Sequence, residues 1–113
     1  MPAYLIVRVD ITDPEQYREY MRHTPRIIAA HGGRFIARGA EPLTLEGPPS
    51  KQRVVVIEFP SMEQAKTFYD SPDYRRARAI RADAGSAHIV AVEGYPDADW
   101  QAALAASAAA KWD

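Results

Sequence analysis

The chain has 113 residues, 47% of them apolar, a formal net charge of −1 and no cysteine. That length suits one compact domain, and the lack of cysteine excludes disulfides, thiolate zinc sites, iron–sulfur clusters and cysteine catalysis. Near-neutral charge argues against a surface devoted to phosphate contacts, and no apolar stretch approaches a membrane span.

The first residues, Met1-Pro2-Ala3-Tyr4, carry no basic region or apolar core of a secretory signal, so a cytoplasmic protein without a membrane partner is expected. Ala3 to Asp10 is rich in β-branched and apolar residues and reads as a strand. In the helix start that follows, Asp13 caps, Pro14 suits the first helical position and Gln16 completes a capping box. Tyr17, Tyr20, Met21, Thr24, Ile27, Ile28 and His31 then share one helical face. Pro25 lacks the N–H that would bond Met21, which predicts a kink or a break. Gly32-Gly33 ends the helix, because glycine enters the left-handed conformation without a Cβ penalty.

Arg34 to Arg38 reads as the second strand. Glu41 to Gln52 carries three prolines and reads as a loop, with Leu43-Thr44-Leu45 as a short strand within it. Arg53 to Phe59 is the clearest strand, centred on Val54-Val55-Val56-Ile57. Ser61-Met62-Glu63-Gln64 opens a helix with Met62, Ala65, Phe68 and Tyr69 inward. Ser71-Pro72 restarts it, and Tyr74, Ala77 and Ile80 carry the apolar stripe to Ala84; His88 to Glu93 is the last strand.

The order β-α-β-β-α-β predicts an α+β, ferredoxin-like fold: a four-stranded antiparallel sheet with two helices on one face. Apolar residues at both parities of the third strand predict burial on both faces. Two helices cover only one, so a homodimer through the sheet face is expected. The domain spans residues 1–95. Residues 96–113 form an alanine-rich helical extension whose Trp100 and Trp112 are read either as a surface tail or as docking on a partner subunit or a pocket mouth.

Several motifs together resemble a known bacterial family. They are Tyr17-x-x-Tyr20, Gly32-Gly33-Arg34-Phe35 with Arg38-Gly39, Leu45-Glu46-Gly47 and Val55-Val56-Ile57-Glu58-Phe59-Pro60-Ser61. Phe68-Tyr69-Asp70-Ser71-Pro72-Asp73-Tyr74 and Val92-Glu93-Gly94-Tyr95 complete the set. The family is "domain of unknown function 1330", within the dimeric α/β-barrel superfamily, and the resemblance covers Ala3 to Tyr95. This chain departs from the family's usual Arg-Gly-Gly in reading Arg38-Gly39-Ala40. The resemblance implies the fold and the dimer but no settled reaction. The wider superfamily includes cofactor-free monooxygenases, lactone isomerases, haem enzymes and ligand-sensing domains, and borrowing from these is analogy.

A pocket between sheet and helices would draw on Tyr17, Tyr20, His23, Arg38, Glu58, Tyr69 and Tyr74. Arg38 and Glu58 lie on adjacent strands and are expected to approach each other, as a structural ion pair or as anion stabiliser and orienter. His23 is the acid/base candidate, since imidazole titrates near neutrality; the alternative is a half-exposed helix residue. The tyrosines serve as packing or as walls of a site for a small aromatic or carbonyl compound. Arg75, Arg78 and Arg81 share a helix face that reads as solvated rather than nucleic-acid binding, with Arg81 able to turn toward the pocket. No ligand spacing for a metal and no phosphate loop is present, so no cofactor is expected. The functional expectation is a small-molecule-pocket protein, acting without a cofactor by proton transfer on a carbonyl, lactone or phenol. The alternative is a non-catalytic ligand-binding or assembly dimer.

Overall fold

The computed structural model describes residues 1–112. In chain order its elements are β1 (Ala3–Ile11), α1 (Pro14–Ala30), β2 (Arg34–Arg38), β3 (Arg53–Phe59), α2 (Met62–Asp70), α3 (Pro72–Arg81), β4 (Gly85–Glu93) and α4 (Asp97–Ala108). The strands form one antiparallel sheet in the order β2-β3-β1-β4, the ferredoxin-like α+β arrangement. Register pairs Leu5 with Ile57 and Ala91, and Val7 with Val55 and Ile89. One parity of each strand therefore faces the helices.

That face is the core. Leu5, Val7 and Val9 of β1 and Val55, Ile57 and Phe59 of β3 meet Tyr17, Ile27 and Ile28 of α1, Phe68 of α2 and Tyr74 and Ala77 of α3. The opposite parity, Ile6, Val54 and Val56, is only half buried, while Val90 and Val92 are 39% and 46% exposed. The helices leave this second apolar face open.

Two local features decide where the polar side chains go. The first is Pro25. Helix α1 runs unbroken from Pro14 to Ala30 instead of breaking there. Proline still removes one backbone donor, so the Met21 carbonyl has no partner four residues on. An Arg38 Nη donates to that carbonyl at 3.0 Å, and Thr24 Oγ1 donates at 3.4 Å. The helix continues because its orphaned acceptor is satisfied from outside.

The second feature is a β-bulge in β2. Arg34 pairs with Glu58 and Phe35 with Ile57, but the register then shifts so that Ala37 meets Val56 and Arg38 meets Val55. Simple alternation would place Arg34, Ile36 and Arg38 on one face; the extra residue reverses the parity beyond it. Arg38 thus turns to the helix side, with Val55.

Caps set the helix starts. Asp13 Oδ1 accepts from Gln16 N at 3.1 Å and Ser61 Oγ from Gln64 N at 3.1 Å. The Gln16 side chain does not close the box; it donates to Ile80 O at 3.1 Å and ties α1 to α3. Gly32, at φ 77°, supplies the left-handed turn after α1. Leu43-Thr44-Leu45 forms no strand; Leu43 and Leu45 are exposed in the loop. The last strand begins at Gly85, three residues before the expected start. Helix α4 buries none of its residues, and Trp100 and Leu104 are half exposed. Among the described residues no helix is long and apolar enough to cross a membrane.

Candidate functional site

The inward stripe of α1 carries Tyr17 and Tyr20 onto the sheet, while α2 and α3 bring Tyr69 and Tyr74 from the other side. Their rings form one aromatic cluster. Tyr17 and Tyr20 lie 5.4 Å apart by centroid, Tyr20 and Tyr74 6.3 Å, and Tyr69 and Tyr74 5.5 Å. The Tyr20 and Tyr74 hydroxyls share a 2.8 Å hydrogen bond.

Arginines surround this cluster. Arg38 caps Met21 O and lies 4.4 Å over the Phe35 ring. Arg53, the first residue of β3, shares the parity of Val55 and Ile57, and its guanidinium lies 5.6 Å from the Tyr17 ring centroid. It donates to Arg38 O at 3.0 Å and Gly39 O at 3.5 Å, while its Nε is buried without a partner. Gly39, at φ 76°, makes room, since a Cβ there would overlap that guanidinium. Arg81, at the end of α3, is only 8% exposed; its guanidinium lies 5.6 Å from the Tyr20 ring and its Nε is also unpartnered. Arg78 stacks on Tyr69 at 4.6 Å.

Tyr17, Tyr20, Tyr69, Tyr74, Arg38 and Arg53 line an inner cavity of about 30 Å³, room for one water. Among the described residues, no carboxylate or imidazole lines it. Beside it, between α2 and β4, runs a groove of about 690 Å³ lined by Leu5, Ala65, Ile89, Ala91 and Arg81, with Glu63, Lys66 and His88 also along it. Tyr69, Leu5 and Ile89 border both spaces, so the half-buried Tyr69 ring forms part of the wall between them.

The surroundings of Tyr17 and Tyr20 favour their protonated forms. Burial raises the Tyr17 pKa, against the charges of Arg53 and Arg81, which lower it. Burial also raises Tyr20, and the neighbouring Tyr74 raises it further by proximity and by their hydrogen bond. These hydroxyls therefore act as donors rather than as bases near neutrality.

Two expected site residues lie elsewhere. Glu58 sits on the open face of the sheet and pairs with Arg34 at 3.2 Å, so it does not approach Arg38; the bulge explains the separation. His23 lies about one residue's rotation from the inward stripe, in a groove of about 570 Å³ between α1 and α3. There it donates through Nε2 to Glu19 at 3.3 Å and accepts at Nδ1 from Arg26 at 3.3 Å. His31 donates to Ile27 O at 2.9 Å, and His88 is exposed on β4. Arg53 is the residue that motif reading passed over. Its charge on the apolar parity of β3 was the available signal. Among the described residues, no three His, Asp or Glu side chains gather as metal ligands.

The family model for "Domain of unknown function (DUF1330)" matches residues 2–95. This chain belongs to that family. No curated protein matches it. Among solved structures it is similar to a protein of unknown function from Rhodopseudomonas palustris, with TM-score 0.69 and 21% identity, covering 84% of this chain and 83% of that one. A dimeric ferredoxin-like protein of unknown function from Thermobifida fusca matches with TM-score 0.60 and 20% identity, over 83% and 92%. SnoaB, a cofactor-independent oxygenase from Streptomyces nogalater, matches with TM-score 0.60 at 10% identity, over 84% and 94%. At such identities these likenesses establish the fold alone.

Proposed function

We propose that this family member is a homodimer that holds a small carbonyl, lactone or phenol in the tyrosine-lined space between helices and sheet, and promotes its loss of a proton without a cofactor. The observation that carries this reading is the joint placement of four tyrosines with Arg38 and Arg53 around a cavity that no acidic group among the described residues lines. Such a lining favours an oxygen that gains negative charge. The substrate's C–H or O–H bond breaks, its electron pair stays behind as an enolate or phenolate, and the proton passes to water. The Tyr20–Tyr74 pair leaves one hydroxyl proton to donate to that oxygen. In the closed form the cavity is too small for such a ligand. A turn of the Tyr69 side chain would join it to the groove between α2 and β4 and supply the volume.

The dimer reading draws support from the half-open stripe Ile6, Val54, Val56, Val90 and Val92, and from similar structures described as dimeric. An isologous pairing of these faces would bury it.

The test uses 4-nitrophenol, whose ionisation is visible by absorbance. Binding in this pocket lowers its apparent pKa by about one unit, provided that the free tyrosine proton and the arginine charges meet the ligand oxygen and outweigh the burial that raises Tyr17 and Tyr20. An unchanged or raised value contradicts the proposal. Among the described residues no carboxylate or imidazole base lines the cavity, which favours a second reading, a ligand-binding dimer that turns nothing over. The lactone 2-coumaranone separates the two: the enzyme speeds exchange of its methylene protons in D2O, whereas the binding dimer leaves the rate unchanged.

A further inference from the structure

Arg81 is the least ordinary side chain outside that cavity. A guanidinium presents five N–H donors and cannot lose its charge, so burying one calls for acceptors. Arg81 is buried at the last position of α3, its Nε reaches neither protein acceptor nor carboxylate, and no ion pair in the described residues includes it. It lies along the groove between α2 and β4. The floor and walls of that groove are apolar (Leu5, Ala65, Ile89 and Ala91) with the Tyr69 ring at one side. Of its other charges, Lys66 bonds Asp70 at 3.2 Å, and Glu63 stands exposed on the first turn of α2, where water screens it. One buried fixed cation in a largely apolar channel fits one negative charge on an apolar body. A phosphate dianion would leave its second charge uncompensated.

We propose that the groove binds a small organic acid as its monoanion, with the carboxylate on Arg81 and the apolar body along Leu5, Ala65, Ile89 and Ala91. The inference rests on the small-molecule reading above and narrows it. The ligand carries a carboxylate besides the group presented to the tyrosines, and Arg81 fixes which end enters.

The test titrates the protein with benzoate and, separately, with benzyl alcohol, which has the same ring without the charge. Binding is followed by NMR shifts of the Leu5, Ala65, Ile89 and Ala91 methyls. Benzoate shifts these methyls and binds about tenfold more tightly than benzyl alcohol, because the alcohol leaves the guanidinium unpaired. The Arg81→Met variant abolishes that preference, and Arg78→Met retains it. If Arg81→Met fails to fold, the wild-type preference and the methyl map decide alone. Equal binding of both probes overturns the carboxylate assignment while leaving the pocket intact. So does 4-nitrophenol binding without benzoate binding. Benzoate shifts confined to the Ala79 methyl, on the exposed face that carries Arg75 and Arg76, also overturn it. Failure of all three probes removes both readings together.

Discussion

Pro25, Met21 and Arg38 form a unit that no pair among them explains. Proline deletes the Met21 carbonyl's helical donor, and Arg38 from β2 at 3.0 Å, beside the longer Thr24 Oγ1 bond at 3.4 Å, takes its place. Arg38→Ala should therefore destabilise the chain by about 1 kcal/mol, as expected for a partly exposed hydrogen bond. In a Pro25→Ala background the helix recovers its own donor, and most of that loss should vanish. Denaturant unfolding of the four members of this cycle measures the coupling.

Tyr20 carries a pH-dependent contribution. Its folded pKa lies above the ordinary 10.0, so an unfolded chain releases this proton first as pH rises. The stabilisation is complete below about pH 10 and is lost as pH climbs toward the folded value. Unfolding midpoints between pH 9 and 11 should fall more steeply for the wild type than for Tyr20→Phe.

The tyrosine cluster was legible in the sequence because helical spacing places Tyr17 and Tyr20 on the face of Ile27 and Ile28. Arg38 was legible as a candidate, but not its surroundings. One inserted bulge residue reverses strand parity, and no residue type in Arg34 to Arg38 announces it. His23 stands outside the tyrosine-lined cavity for a related reason: 100° of rotation separates it from Thr24, which is buried.

At the scale of elements, the junction of α2 and α3 turns on a single side chain. Ser71 Oγ donates to Phe68 O at 2.7 Å, closing α2, and accepts from Tyr74 N at 3.2 Å, opening α3. The residue is buried, so its removal leaves Tyr74 N without this acceptor, while Phe68 O keeps only the Ser71 backbone N–H at 3.1 Å. Ser71→Ala should cost about 2 kcal/mol, the upper end for a cap. A loss below about 0.5 kcal/mol in urea unfolding would show that water replaces both bonds. The Ser-Pro restart and the order of strands and helices could be read directly, because each element carries its own cap and period. The strand expected at Leu43-Thr44-Leu45 does not form. Prolines at 42, 48 and 49 flank it, and both leucines remain in solvent.

The whole molecule is longer than a 113-residue globule should be. Its radius of gyration is 17.1 Å, against about 13 Å for a compact chain of this length. Helix α4 accounts for much of this, since none of its residues is buried. The remaining apolar surface that calls for burial is the open face of the sheet. Native mass spectrometry should give twice the 12.6 kDa chain mass. Val56→Lys, which sets a charge among Ile6, Val54 and Val90, should leave the single chain mass. A wild-type monomer would contradict the dimer, and a Val56→Lys dimer would place the contact elsewhere.

The most direct measurement is a methyl NMR titration of the intact protein with 4-nitrophenol, because it asks which face of the sheet receives the ligand. Shifts are expected at Leu5, Val7 and Ile89, beneath the helices, and none at Ile6, Val56 or Val90. Shifts confined to the second set, or no shifts at all, would contradict the proposed pocket.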